Sequence, residues 1–378
     1  MLPGEPNLPV AIVTPDGQTV NRLFSWLCQQ ADARLASEFQ VALRQLQQDW
    51  FSRHRDKLYC PDCGGQDLIR KGWRSRVVAT SRGKLTMTVI QARCKVCGRT
   101  FRPLNVILGL PSTLRLLEEM AGKAAFLGTQ VSFARASSIL RMLTHGSVSG
   151  EGVRRVVAQR AASVQLPRPD SGQTVLVDAT KVKAGQKERG ESVYLAVTAE
   201  PGPIRHGRPT CKKRLVHLHV GTAAKLKKRL KATGVTHVVH DGGEDLTGCA
   251  PHLQRCRWHL GHQLKHYLWQ DGVPHAFRGQ FQEAMTQIVS DPEKGPERFR
   301  RWRANLETLG LKTAAGHLVN AEKEAFTYAK QPFAYIDTSP LEREMRELNR
   351  RADIGVRWSP KGLENVLKLM FHQRLNET

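Results

Sequence analysis

No apolar stretch in this chain approaches the roughly 20 residues that span a bilayer, and its first residues show no basic segment followed by an apolar one. Neither a membrane span nor a secretory leader is expected, so the chain reads as cytoplasmic. Acidic residues are also scarce. Against 58 Lys and Arg there are 34 Asp and Glu, for a formal net charge of +24. That deficit argues against a merely solvated surface and points to a polyanionic partner, nucleic acid first and an anionic membrane surface second. Cysteine is limited to eight residues. In a reducing compartment these are ligands or buried thiols rather than disulfides. The 378 residues suffice for two to four domains, each with its own core.

Four of the cysteines are organised. Cys60-Pro-Asp-Cys63-Gly64 and Cys94-Lys-Val-Cys97-Gly98 each read as a knuckle, in which a tight turn aims two thiolates at one ion and the glycine permits the backbone reversal. The gap between them exceeds that of compact four-cysteine sites. It contains two strand-like runs, Val77–Ala79 and Lys84–Ile90, separated by Ser81-Arg82-Gly83. A hairpin there would bring the knuckles together as a zinc ribbon with Zn²⁺ on Cys60, Cys63, Cys94 and Cys97. Arg74 and Arg76, among other basic residues of the gap, are candidates for phosphate contact. Before the ribbon, Asn21 to Arg55 carries apolar residues at helical spacing, read as a packing helix.

Ser112 to about Ala162 is expected to be helical, with one helix around Leu116–Phe126 and a second over Phe133–Leu143. Gly146–Ser149 then makes a turn into a basic helix over Gly152–Arg160. This is the outline of a helix-turn-helix, with Arg154 and Arg155 as candidate DNA contacts. Helical hairpins that bind nothing share the outline. Leu166–Gln173, with two Pro and a Gly, is the clearest linker.

Three acids stand in distinct contexts beyond it. Asp178 ends the run Thr174–Val177, Asp241 ends Thr236–His240, and Glu342 opens a late helix in Ser339-Pro-Leu-Glu342. A hard divalent cation, Mg²⁺ or Mn²⁺, takes such oxygen ligands together with phosphate oxygens. Each acid also has a plainer reading. Asp178 could terminate a strand, Asp241 could serve a turn, and Glu342 could complete a capping box with Ser339 and Pro340. Glu244 and Asp245 rival Asp241, and Glu344 and Glu347 are reserves for Glu342. Cys256, His259, His262 and His266 could form a second zinc site or the polar contacts of a strand-to-helix junction. The basic helix Ala223–Ala232, with Lys227 and Lys228, suits phosphate contact. So does Arg301, beside Trp302, which could stack on a frayed base; a solvated basic face around a core Trp serves equally well.

Strand-like runs at Thr174–Val177, Ser192–Thr198 and Arg214–Val220, then a helix, a strand and later helices, match the order of an RNase H-like α/β core. Val177-Asp178-Ala179, Asp241-Gly242, Cys256-x-x-His259, and Thr338-Ser-Pro-Leu-Glu342-Arg343 resemble the motifs of mutator-type DDE transposases of bacterial insertion sequences. Trp358-Ser359 and Gly362 add to the likeness, which covers about 174–375. Asn often stands in that family where this chain has Ser339.

The resemblance implies Asp178, Asp241 and Glu342 as catalytic ligands of Mg²⁺ or Mn²⁺, with Cys256 and His259 supporting them. It implies a bacterial, nucleoid-associated enzyme acting on double-stranded DNA, at element terminal inverted repeats and target sites, as a homodimer or higher oligomer. A DNA-binding regulator without catalysis and a nuclease of the same fold remain the competing functions. The whole is expected to be a multidomain α/β (α+β) chain. Its parts are a helical segment (1–56), a zinc ribbon (57–108), a helix-turn-helix-like domain (109–165), a linker (166–173), and a catalytic domain (174–378) with an all-helical insertion at about 262–335. Phe277, Phe281, Met285, Ile288, Phe299, Trp302, Leu306 and Leu309 are expected to line that insertion's core.

Overall fold

A computed structural model describes residues 17–107, 115–186, 190–205, 207–243 and 245–377. Ser112 and Glu244 lie outside the described residues. The chain divides into two compact units, Met1–Ala124 with Ser137–Ser149, and Ala125–Ala136 with Gly150–Thr378. Among the described residues, no helix is long and apolar enough to cross a membrane.

The first unit is built on a hairpin. Strands β1 (Leu68–Thr80) and β2 (Gly83–Cys94) pair antiparallel along their whole length, and β3 (Thr100–Phe101) adds a short third strand beside β2. Both strands are longer than the predicted runs, because pairing carries them from the tight turn at one end to the cysteine knuckles at the other. Since β3 meets β2 only at Ala92 and Arg93, the edge of β2 before them lacks a strand partner. Helix α1 (Gly17–Arg53) supplies one through a side chain. Buried Gln47 accepts from the Ile90 N–H at 2.8 Å and donates to the Thr88 carbonyl at 3.0 Å. Leu43 packs there with Val78, Leu85, Met87, Val89 and Leu104. Further along the helix, Trp50 and Phe51 pack against Leu58, Leu68, Cys60 and Cys94. Phe24, Leu27, Leu35 and Val41, counted in the same apolar periodicity, are exposed.

Short helix α2 (Pro103–Ile107) follows, then α3 (Glu118–Gln130), α4 (Phe133–Leu143) and α5 (Gly150–Ser163). The α4 bounds are those predicted. Helix α3 begins later than expected, because Leu116 forms a β-bridge with Ala79 instead of a helical turn.

The second unit carries a five-stranded mixed sheet. Its strands are β4 (Thr174–Val182), β5 (Glu191–Arg205), β6 (Arg208–Gly221), β7 (His237–His240) and β8 (His252–Arg255), in the order β6-β5-β4-β7-β8. The pairs β6–β5 and β5–β4 are antiparallel, whereas β4, β7 and β8 are mutually parallel. Side chains alternate between faces with a period of two. Val175 and Val177 of β4, with Ala196, Val216 and Val238, pack against Leu226 and Leu230 of α6 (Ala223–Thr233). The alternate positions, Leu176 and Asp178, therefore face the other side. There α11 (Glu342–Ala352) lies against β4, and α12 (Pro360–Leu375) against β6 and α5.

Four helices, α7 (Arg257–Gln270), α8 (His275–Ile288), α9 (Gly295–Thr308) and α10 (Lys312–Ala321), build a second core from Leu260, Leu264, Leu268, Met285, Phe299 and Leu318. The all-helical expectation holds, with three adjustments. The first helix starts at Arg257, so His259 belongs to it. Phe277 and Leu309 are exposed rather than buried. Trp302 is partly buried against the core and meets Phe281 edge-on at 5.5 Å between centroids. The chain returns beside its point of departure: Arg255 donates to the Glu324 carbonyl at 2.9 Å, and Tyr328 to the Gln254 side chain at 2.9 Å.

Candidate functional site

The four cysteines converge as their spacing requires. The Sγ atoms of Cys60 and Cys97 lie 3.6 Å apart, as do those of Cys63 and Cys94. All four fall within 4.8 Å of one another, a group able to hold a metal such as zinc. The two knuckles repeat the same turn. Gly64 donates to the Cys60 carbonyl and Gly98 to the Cys94 carbonyl, at φ of +70° and +75°. Any side chain there would be strained. Backbone N–H groups of Asp62 and Cys63 aimed at the Cys60 sulfur lower its thiol to about 7. At Cys63 the Gly65 N–H pulls downward too, but hydrogen bonds with the other sulfurs, Cys97 first, raise that thiol to about 12. Without a cation, the sulfurs share protons.

The carboxylates assemble differently. Parallel pairing of β4 with β7 sets Val177 opposite His240, so Asp178 and Asp241 are the residues that follow this pair. Asp178 is on the face turned to α11, and Asp241 is just past the end of β7, where its carboxylate accepts from the Gly243 N–H at 2.9 Å as a turn residue does. The β7 strand ends there, while β4 continues to Val182 against β5. Asp178 is thus mid-strand, not terminal as its sequence context suggested, and carries a carboxyl where one neighbouring strand stops. Burial, then the nearby Asp241 charge, raises that carboxyl from 3.8 to about 6; Glu342 adds to the effect, while the Ala179 N–H and His259 oppose it. Such a group gains from a cation.

Glu342 is the first residue of α11 and lines one cavity with Asp178, Cys256, Trp258, His259, Thr338, Arg346 and Asn349. The cavity volume is about 280 Å³. The capping-box explanation for Glu342 fails: no side chain caps α11, and Ser339 hydrogen-bonds Asp337 instead. The reserve acids are occupied elsewhere. Glu344 is buried on Lys213 at 2.7 Å, and Glu347 pairs with Arg350. Asp245, the described rival of Asp241, accepts from the Thr247 N–H and faces Lys227. Asp178, Asp241 and Glu342 do not close as tightly as the thiols. Among the described residues, only the cysteine group brings three or more ligand atoms within 4.8 Å. A pair of cations ~3.5–4 Å apart would itself occupy the space between such ligands.

Cys256 and His259 form a latch rather than a second zinc site. The Cys256 sulfur accepts from the Thr338 N–H at 3.3 Å and lies 3.2 Å from His259 Nδ1, which is 3.1 Å from Thr338 Oγ1. The start of α7 thereby holds the segment leading to Glu342. His262 and His266 do not join them; they stack on Trp258 and tilt against Trp269.

Behind Asp241 lies a network that sequence reasoning missed. Glu324 Oε2 is 3.0 Å from His240 Nε2 and 3.3 Å from Arg255 Nη2. Burial alone would raise the Glu324 carboxyl; the His240 hydrogen bond and the neighbouring His240 and Arg255 side chains hold it below its usual range. Arg255 in turn lies where a side chain on residue 242 would be, since a Cβ there would fall 1.2 Å from its Nη1, and Gly242 sits at φ +84°. Only glycine after Asp241 tolerates that packing. The Asp241-Gly242 pair was the one available signal, and it does not name Glu324.

The basic candidates stand apart. Arg74 is exposed and bonds Gln91, whereas Arg76 is partly buried near Arg102, which with burial lowers its affinity for the proton. Arg154 and Arg155 share Glu151, Arg301 holds Glu297, and Lys227 faces Asp245, while Lys228 is exposed. Exposed pairs of this kind are weak and exchange readily for phosphate. The Trp358-Ser359 pattern has a local cause. Buried Arg351 spans the carbonyls of Gly128, Thr129 and Val131 at the end of α3 and lies 4.8 Å from the Trp358 ring, and Ser359 caps α12.

No protein-family model matches this chain, and no curated protein matches it.

Proposed function

We propose that the chain is a DNA transposase of the mutator-type DDE class, with an RNase H-like catalytic core that cuts DNA at element ends and joins the ends to target DNA. The observation that carries this reading is that Asp178 on β4 feels the charges of Asp241, the residue just after the parallel neighbour β7, and of Glu342, the first residue of α11. Antiparallel β6-β5-β4 followed by parallel β7 and β8, with helices over both faces, suits such a core. The donors are carboxylates only, and burial, then its acidic neighbours, holds Asp178 out of its ordinary range, so the set fits Mg²⁺ or Mn²⁺. When bound, such ions supply activation of the attacking oxygen and neutralisation of the leaving one.

The protein's own groups do the rest. Asp178, Asp241 and Glu342 would hold the ions. Arg346, on the cavity wall, is positioned to bind a phosphate oxygen. The Cys256–Thr338–His259 latch keeps Glu342 facing Asp178. One site then suffices for two displacements: water at the element end, releasing a 3′-hydroxyl, and that hydroxyl at the target. The cysteine ribbon and the basic helix α5 would hold the flanking duplex, with two copies of the chain engaging two ends.

A strand-transfer assay on DNA carrying the element's ends, with Mg²⁺ or Mn²⁺, tests the reading. Joined products lost in Asp178→Asn are expected, by at least about 1,000-fold if the electrostatic contribution is of the usual size. Cleavage without joining would indicate a nuclease. Binding without either, indifferent to Asp178→Asn, would indicate a regulator.

A further inference from the structure

Helix α7 has an unusual outer face. Its inner side is Leu260, Leu264 and Leu268, all buried. On the outside, at spacings of four, four and three, stand Trp258, His262, His266 and Trp269, and all four are exposed. Trp258 and His262 stack at 4.7 Å with 10° between their planes, and His266 lies 5.5 Å from Trp269. Exposed tryptophans are costly to leave in water, and Trp258 and Trp269 are 49 % and 57 % exposed. The row starts inside the cavity lined by Asp178 and Glu342. It runs into a second concavity of about 540 Å³, where Lys265 and Arg278 join His262, His266 and Trp269.

We infer that this face of α7 is a stacking platform for an unpaired DNA strand leading away from the scissile phosphate. The inference rests on the catalytic reading above for the position of that phosphate. Flat rings accept base faces without regard to sequence, and cations beside them accept the backbone. Burial and the adjacent Lys265 disfavour the charged form of His262, so it presents a neutral ring suited to stacking. Eleven residues of helix separate the two tryptophans, about 16 Å, room for four or five nucleotides at ~3.4 Å each. The occupant is set by charge: the cations along the row and the net +24 favour a polyanion over an apolar protein segment.

The test is fluorescence anisotropy of a labelled oligo-dT with the full-length, zinc-loaded protein, without added Mg²⁺. Trp258→Ala with Trp269→Ala should weaken binding about ten-fold or more, while the corresponding Phe pair retains most of the affinity. The salt dependence should stay unchanged in the Ala pair and decrease in Lys265→Ala. Affinity within two-fold of wild type in the Ala pair, or equal losses in the Ala and Phe pairs, would overturn the platform. If Asp178→Asn abolishes cleavage while oligo-dT binding ignores the tryptophans, the platform fails and the catalytic reading stands. If wild type binds oligo-dT through the tryptophans yet cleaves no DNA, the catalytic reading fails and the platform survives as a binding surface.

Discussion

The cysteine site and the carboxylate site both gather like-charged ligands, but they are assembled by opposite means. At the cysteines, each pair comes from one turn whose own backbone bonds fix it, and a single hairpin joins the two turns. The carboxylates come from β4, from the end of β7 and from the start of α11, across more than 160 residues of chain. Nothing local fixes their mutual distance. It is set by strand register, by the Cys256–Thr338 latch and by the buried His240–Glu324–Arg255 network. A site closed by local turns suits an ion that stays. A site held open by long-range packing suits ions that must also meet a substrate.

The contrast breaks first if the cysteines are not a structural metal site. Chelation, or Cys60→Ser with Cys97→Ser, should unfold the β1–β2 hairpin, because structural zinc contributes on the order of 10 kcal/mol to such modules. Hydrogen exchange of the hairpin together with a zinc assay reads this directly; protection that persists in the zinc-free protein would remove one side of the comparison. Next in size, Glu324→Ala should cost about 3–5 kcal/mol by leaving Arg255 and His240 buried without their partner. Urea unfolding measures the loss. A cost below about 1 kcal/mol would mean that the network does not hold Asp241 in place.

A smaller effect separates the sheet from the site. Burial, then His219 and Arg229, lowers His217 on β6 from 6.5 to about 4. The unfolded chain binds that proton more readily, so the stabilisation is present above pH 6.5 and is lost as the pH falls toward 4. Wild type should lose up to about 3 kcal/mol in that window, and His217→Gln should lose less. Identical acid profiles would assign the loss to other groups.

Much of this architecture was legible because its signals are local. The two Cys-x-x-Cys-Gly turns announce themselves, and so do short apolar runs that end in Asp178 and Asp241. The order of strands and helices could be read, yet β5 and β6 extend well past their apolar runs, because two long strands pair with each other beyond the sheet. Glu324 was not legible: it follows a helix in a polar stretch, and its partners lie 84 and 69 positions earlier. The exposed face of Trp258 was not legible either, since helical spacing shows that a face exists but not whether another helix packs on it, as Phe281 of α8 does on Trp302. Glu342 was separable from Glu344 and Glu347 only when Lys213 and Arg350 were seen to hold those two.

Thermal unfolding of zinc-loaded wild type and Asp178→Asn, with and without Mn²⁺, decides whether Asp178, Asp241 and Glu342 form the proposed cation site. The folded Asp178 carboxyl titrates near 6 rather than 3.8, so its ionisation above that range costs stability, up to about 3 kcal/mol at neutral pH. Asp178→Asn should therefore be the more stable protein without Mn²⁺, and wild type should gain the larger increment when Mn²⁺ is added. A less stable Asn variant in the absence of Mn²⁺, combined with equal Mn²⁺ shifts in the two proteins, would contradict the claim.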